Sequence, residues 1–267
     1  AYGTPSLAGR IGASALNNVS GMAASQRNPG ILYVHNDMTR TQFFALDQSA
    51  ALLATFTFAG TPVVDLEDMA VGHCPSGNCV YLADIGGNTS SRTNYGILRL
   101  AEPAVSPGQP PVTTAVTVEK LTFSYPDGAI HNAESLLIDP GSDEIYVITK
   151  ETSGPSTVYR LSPTFGGSAT VAEKVVTLTV PKAADGPATA ASAHPCGSGF
   201  LLRTNTVVYE FRIAPGAPFE TAFAVAPAVV PLLVETQGEA ITYRPDGRGY
   251  LTTGEGAAQP INQVGCR

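Results

Sequence analysis

QGEAITYRPDGRGYLTTGEG, residues 237–256, reads as one β-hairpin. An apolar strand ends at Tyr243, Pro245-Asp246-Gly247 makes the turn, and a second strand runs through Tyr250 to Thr253. Glu239 does not fit this pattern. It opens a strand whose next residues, Ala240 and Ile241, are core-forming, and a buried unpaired charge is costly. The position needs a physical reason.

The same arrangement recurs along the chain. Hairpins of this kind start at Ser20, Glu67, Glu134, Thr189 and Glu239, at steps of 47, 67, 55 and 50 residues. Each has a small or acidic start, an apolar strand, a Gly/Pro/Ser/Asp turn, a second apolar strand and a polar tip. Two more strands follow most hairpins, as in TQFFALD and AALLATFTFAG after the first. They alternate with period two or form short runs rich in Val, Tyr, Phe and Thr. Four antiparallel strands per repeat of about 50 residues mark a propeller blade. The fifth unit is short: after GYLTTGEG only one further strand, near Ile261–Cys266, is possible. Residues near Ser6–Gly12 are expected to supply the missing strand. The expectation is an all-β, five-bladed β-propeller over residues 1–267, with an N-terminal strand closing the last blade.

Composition agrees. Of 267 residues, 43% are apolar and only 14% charged, with 27 glycines and 21 prolines to make tight turns. Fifteen basic residues against 22 acidic ones give a net charge of −7, which argues against a nucleic-acid polymer as partner. The sequence has no apolar run long enough for a membrane-spanning helix. Four cysteines favour a secreted or extracytoplasmic protein whose signal peptide has been removed. Of three possible pairings, Cys74–Cys79 with Cys196–Cys266 suits the topology. Asn18-Val19-Ser20 and Asn88-Thr89-Ser90 are formal glycosylation sequons.

Innermost propeller strands line the axis, so Ser20, Glu67, Glu134, Thr189 and Glu239 are expected to converge there. Three carboxylates at close range repel one another. A hard cation relieves this, and Ca2+ accepts six to eight oxygens in flexible geometry. The five are therefore the candidate metal ligands, and Glu239 has its reason as one of them. The ring order Ser, Glu, Glu, Thr, Glu resembles that of the calcium-activated nucleotidase (apyrase) family. That resemblance implies a five-bladed propeller, axial Ca2+ and nucleotide hydrolysis. YVHND, DLEDMAVG and YLADIGGN are more similar to a group of uncharacterised secreted bacterial propeller proteins.

The strand tips beside the ring carry further chemistry. His35, Asp37, Asp84 and His131 are candidate bases, and Lys150 and Arg203 candidate anion holders. Asp65, Asp68, Asn88, Asn132 and Glu255 add to a polar mouth. No Gly-x-Ser-x-Gly, phosphate-loop or His-Glu-x-x-His motif occurs. The sequence thus suggests a Ca2+-dependent hydrolase of phosphoesters, phosphoanhydrides or other esters, acting as a monomer on a small molecule or glycan. The alternatives are a Ca2+-stabilised binding module and a glycan-active enzyme.

Overall fold

The computed structural model describes residues 1–37, 41–88 and 92–267; Thr89 and Ser90 of the second sequon lie outside them. Five sheets surround one axis. The first blade runs from the axis outward as Val19–Ala24, Leu32–Asn36, Gln42–Leu46 and Leu52–Thr57. The second is Leu66–Cys74, Gly77–Asp84, Tyr95–Ala101 and Glu119–Ser124. The third is Ala133–Ile138, Ile145–Thr149, Thr157–Leu161 and Glu173–Thr177. The fourth is Ala188–Ala193, Gly199–Thr204, Val208–Arg212 and Ala228–Val230. The fifth is Gly238–Tyr243, Gly249–Gly254 and Pro260–Gly265, completed by Ser6–Arg10.

Period-two alternation explains why blades stack. In Gly77–Asp84, Val80 and Leu82 pack on the first blade, with Tyr33, Phe43 and Phe56. Cys79, Tyr81 and Ala83 point the other way and pack on the third, with Leu136, Ile145 and Val147. A strand buried on both faces reads as a nearly continuous apolar run. Each neighbouring pair of blades encloses an apolar cluster of this kind, including the pair formed by the last blade and the first. There Ala240 and Ile261 meet Leu16, Val19, Met22 and Phe44.

The opening hairpin forms as expected, with Tyr243 opposite Tyr250 and Gly247 at φ 65° in the turn. Ring closure also forms: Ser6 lies opposite Gln263 and Arg10 opposite Pro260. Two outer edges carry a fifth strand that the repeat pattern does not contain. Val112–Ala115, from the connection within the second blade, adds in parallel to Leu52–Thr57 of the first. Thr170–Val171, from the third, adds in parallel to Glu119–Ser124 of the second.

One disulfide forms, Cys74–Cys79, across a tight hairpin. The second expected pair needs correction, because Cys196 and Cys266 are both exposed free thiols. Each is held by its own surroundings: the Cys196 N–H donates to His194 Nδ1, and the Cys266 N–H to the Arg248 carbonyl.

Side chains bridge the blades at the axis. The carboxylate of Asp68, fully buried, accepts the N–H of Leu136 at 2.8 Å and of Ala191 at 3.1 Å on one oxygen, and that of Met69 at 2.8 Å on the other. Thr242 Oγ1 accepts the Ala24 N–H, and Ser192 Oγ the Tyr243 N–H. Asp68→Ala leaves two amides of two other blades unpaired. At about 1–3 kcal/mol for each unsatisfied buried group, it should cost roughly 3 kcal/mol in denaturant unfolding. Deleting residues 1–10 strips the partner from Pro260–Gly265. It should lower stability by about 3–5 kcal/mol, at about 1 kcal/mol per lost hydrogen bond, and a melting temperature equal to that of the intact chain would contradict the closure.

Candidate functional site

The reason for Glu239 is visible in the strand register. Gly238 pairs with Gly254 and Ala240 with Thr253, so Glu239 is skipped. The same skip falls at Ser20, between Val19 and Gly21, and at Glu67, between Leu66 and Asp68. It falls again at Glu134, between Ala133 and Ser135, and at Thr189, between Ala188 and Ala190. Each is the extra residue of a β-bulge, which frees a side chain from the pleat and re-aims it. The five equivalent positions are thus built by one backbone device.

Ser20, Glu67, Glu134 and Glu239 line a cavity of about 100 Å3, together with Asp37, Asn88, Lys150, Gln237 and Glu255. Thr189 sits at the fifth bulge, fully buried and with Oγ1 unpartnered among the described residues, but it is not part of the wall. A second set of equivalent positions closes the mouth. The carbonyls of Asn18, Asp65, Asn132 and Gln237, each two residues before a ring residue, accept N–H groups from Asp37, Gly86, Lys150 and Glu255. Three blades thus place a charged side chain at the tip, and the second places Gly86. A Cβ there would fall 2.2 Å from both Asp65 Oδ2 and Glu67 Oε1. The missing side chain is what leaves room for those carboxylates.

The charges are unevenly answered. Lys150 Nζ lies 2.6 Å and 2.5 Å from the two oxygens of Glu134. Burial works against the lysine's charge, but Glu134, then Glu239 and Glu67, outweigh it and hold its pKa above the usual value. Glu239 Oε1 accepts from Gln237 Nε2 at 2.9 Å, and Gln237 also reaches Glu255. Glu67 is 3% exposed, and its Oε1 has no partner among the described residues. Asp37, Asp65 and Glu67 each bring one carboxylate oxygen within 4.8 Å of the others. Burial, and then repulsion from Glu134, Asp65 and Asp37, pushes the Glu67 carboxyl up to about 11. Glu134 is raised to about 7, mainly by burial, with Lys150 opposing. Burial also raises Asp65 and Glu239.

Other expected site residues lie elsewhere. Arg203 is fully buried and held by Glu235 at 2.5 Å, with Nη1 on the Ala240 carbonyl. Asp84 is buried under Arg92 at 2.7 Å and Lys120 at 3.1 Å. It accepts the N–H groups of Val64 and Asp65, so it anchors the segment leading to Glu67. His131 pairs with Asp127 at 2.9 Å and packs against the ring of Tyr125. His35 is fully buried over Gly21, donating from Nδ1 to the Asn36 carbonyl, and burial depresses its pKa. Asp68 belongs to the axial bridge below the mouth. Gly86 and Gln237 were not anticipated. Their signals were there: the run Asn18, Asp65, Asn132 and Gln237 two residues before four ring positions, and the double glycine of DIGGN.

No family model and no curated protein matches the chain. Solved structures do, through their fold. A glucose dehydrogenase is 12% identical with a TM-score of 0.53, over 99% of this chain and 100% of that one. The soluble aldose sugar dehydrogenase of Escherichia coli, in its apo form, is 9% identical at 0.52, over 99% of each chain. The gluconolactonase XC5397 of Xanthomonas campestris is 12% identical at 0.54, over 99% of this chain and 95% of that one. At such identities the likeness shows the fold alone.

The raised carboxyls set a pH dependence. With folded pKa values above the ordinary 4.5, Glu67 and Glu134 bind more protons in the folded than in the unfolded chain. Their contribution to stability is therefore full below pH 4.5 and is lost as pH rises toward 7 and beyond. In chelator, the melting temperature should fall over this window more steeply for the wild type than for Glu67→Gln. Equal slopes would show that Glu67 does not titrate in this way.

Proposed function

We propose that the mouth binds one hard divalent cation, Ca2+ by preference, and that the protein hydrolyses a small neutral ester or lactone there. The observation that carries this reading is the buried Glu67 Oε1, without a hydrogen-bond donor among the described residues, set beside Asp65 and Asp37 against the open face of Gly86. An oxygen-only donor set suits Ca2+ or Mg2+ rather than zinc, which favours His and Cys. When bound, such a cation polarises a carbonyl oxygen and lowers the pKa of a coordinated water.

The chain's own groups narrow the substrate. Asp37, Asp65, Glu67, Glu134, Glu239 and Glu255 surround the mouth, with Lys150 as the basic residue in its wall among the described residues. With Arg203 withdrawn to Glu235, the acidic mouth repels an anionic phosphoanhydride but not a neutral ester. Lys150, with two N–H groups on Glu134, offers its fixed positive charge and third N–H to a carbonyl oxygen that gains charge in the transition state. At about 100 Å3 with polar walls, the cavity admits the ester group and leaves an acyl chain or sugar ring outside. The gluconolactonase among the structural neighbours is in keeping with this class. The Cys74–Cys79 disulfide supports an extracytoplasmic setting.

The small cavity also favours a second reading, in which the cation only stabilises a binding module for a glycan or protein. One experiment separates them. Aldonolactone and aryl acetate hydrolysis are measured in Ca2+ and in chelator, for wild type and Glu67→Gln. The hydrolase reading expects Ca2+-dependent turnover that Glu67→Gln lowers about a hundredfold or more. Absence of turnover with a Ca2+-dependent rise in melting temperature would leave the binding module. Neither effect would remove the cation site itself.

A further inference from the structure

Two halves of the axial ring differ in what neutralises them. In one half both oxygens of Glu134 are taken by Lys150 Nζ, at 2.6 Å and 2.5 Å, and Glu239 Oε1 is taken by Gln237. In the other half Glu67 Oε1 has no hydrogen-bond donor among the described residues, and it lies against Gly86 with Asp65 Oδ2, which accepts from Asn88 Nδ2 at 3.4 Å. Lys150 and Gly86 hold equivalent places in their blades, since each N–H donates to the carbonyl two residues before the ring glutamate. At one place the blade supplies a cation, and at the other it supplies space.

We infer that Lys150 is the resident cation of the Glu134–Glu239 half. A single divalent ion then binds off the axis, between the first and second blades, at Asp37, Asp65 and Glu67. This rests on the cation-binding reading above and assigns its ion a place. Oxygens on opposite sides of a Ca2+ ion stand about 5 Å apart, from metal–oxygen distances of 2.3–2.6 Å. The mutual 4.8 Å limit met by Asp37, Asp65 and Glu67 suits that span. The lysine cannot diffuse away, because its stem is fixed to the chain. A fixed ammonium on Glu134 repels a second cation and withdraws that carboxylate from coordination. Asp84 supports the ion's corner by holding the Val64 and Asp65 amides.

The test is calorimetric titration of chelator-treated protein with Ca2+, for wild type, Asp65→Asn, Lys150→Met and the double variant. Wild type should bind one ion, and Asp65→Asn should weaken it at least about tenfold by removing a charged ligand. Without the lysine, Glu134 and Glu239 become free to coordinate. The double variant should therefore bind the ion more tightly than Asp65→Asn alone. Lys150→Gln in place of methionine gives the same comparison should the apolar side chain prevent folding. A double variant that binds no more tightly than Asp65→Asn alone overturns the proposal and leaves the cation reading standing. Absence of binding by wild type removes both.

Discussion

Each blade presents its innermost strand to an axis where no further strand can pair with it. A sheet edge carries unpaired N–H and C=O groups, and buried ones must find partners. Here side chains of neighbouring blades supply them. Asp68 serves Leu136 and Ala191, Thr242 serves Ala24, Ser192 serves Tyr243, and Ser20 Oγ donates to the Glu67 carbonyl. This explains a carboxylate at the centre of the molecule whose pKa burial raises well above its ordinary value. It also ties blades across the axis, while the apolar clusters join them around it.

The same edges create the site. A strand that needs no lateral partner on one side tolerates a bulge, and each inner strand has one at its start. Five bulges at one level bring side chains together that lie as far as 219 residues apart, from Ser20 to Glu239. Function therefore depends on an irregularity repeated with the fold, and its chemistry varies blade by blade without disturbing the ladder behind it.

Much of this was legible in the sequence. Short apolar runs gave four strands to each repeat, and the polar starts of five hairpins gave the ring positions. The short last unit gave the closure, expected near Ser6–Gly12 and formed by Ser6–Arg10. The rest depended on information that period and composition do not carry. Whether Arg203 or Lys150 reaches the mouth depends on which direction a strand-end side chain takes. Arg203 turns to Glu235, which lies 32 residues away. Asp84 and Asp68 look like any tip carboxylate until the amides they accept are known. The parallel strands Val112–Ala115 and Thr170–Val171 pair with partners far upstream, and no local pattern marks them. The free thiols of Cys196 and Cys266 show the limit of inferring a bond from shared location.

Those two parallel strands also give the ring a direction in time. The first blade lacks its outer cover until residues 112–115 have left the ribosome, and the second until residues 170–171. Each of these blades is finished by chain made after it, so a nascent chain carries one open edge that moves forward as synthesis proceeds. The fifth blade reverses the rule. Its outer strand, Ser6–Arg10, is made before the rest of the ring and has no partner until Pro260–Gly265 emerges. Throughout synthesis of the ring that segment must stay available. A half-made ring is thus an arc with two unpaired ends, and only the emergence of Pro260–Gly265 turns it into a closed body.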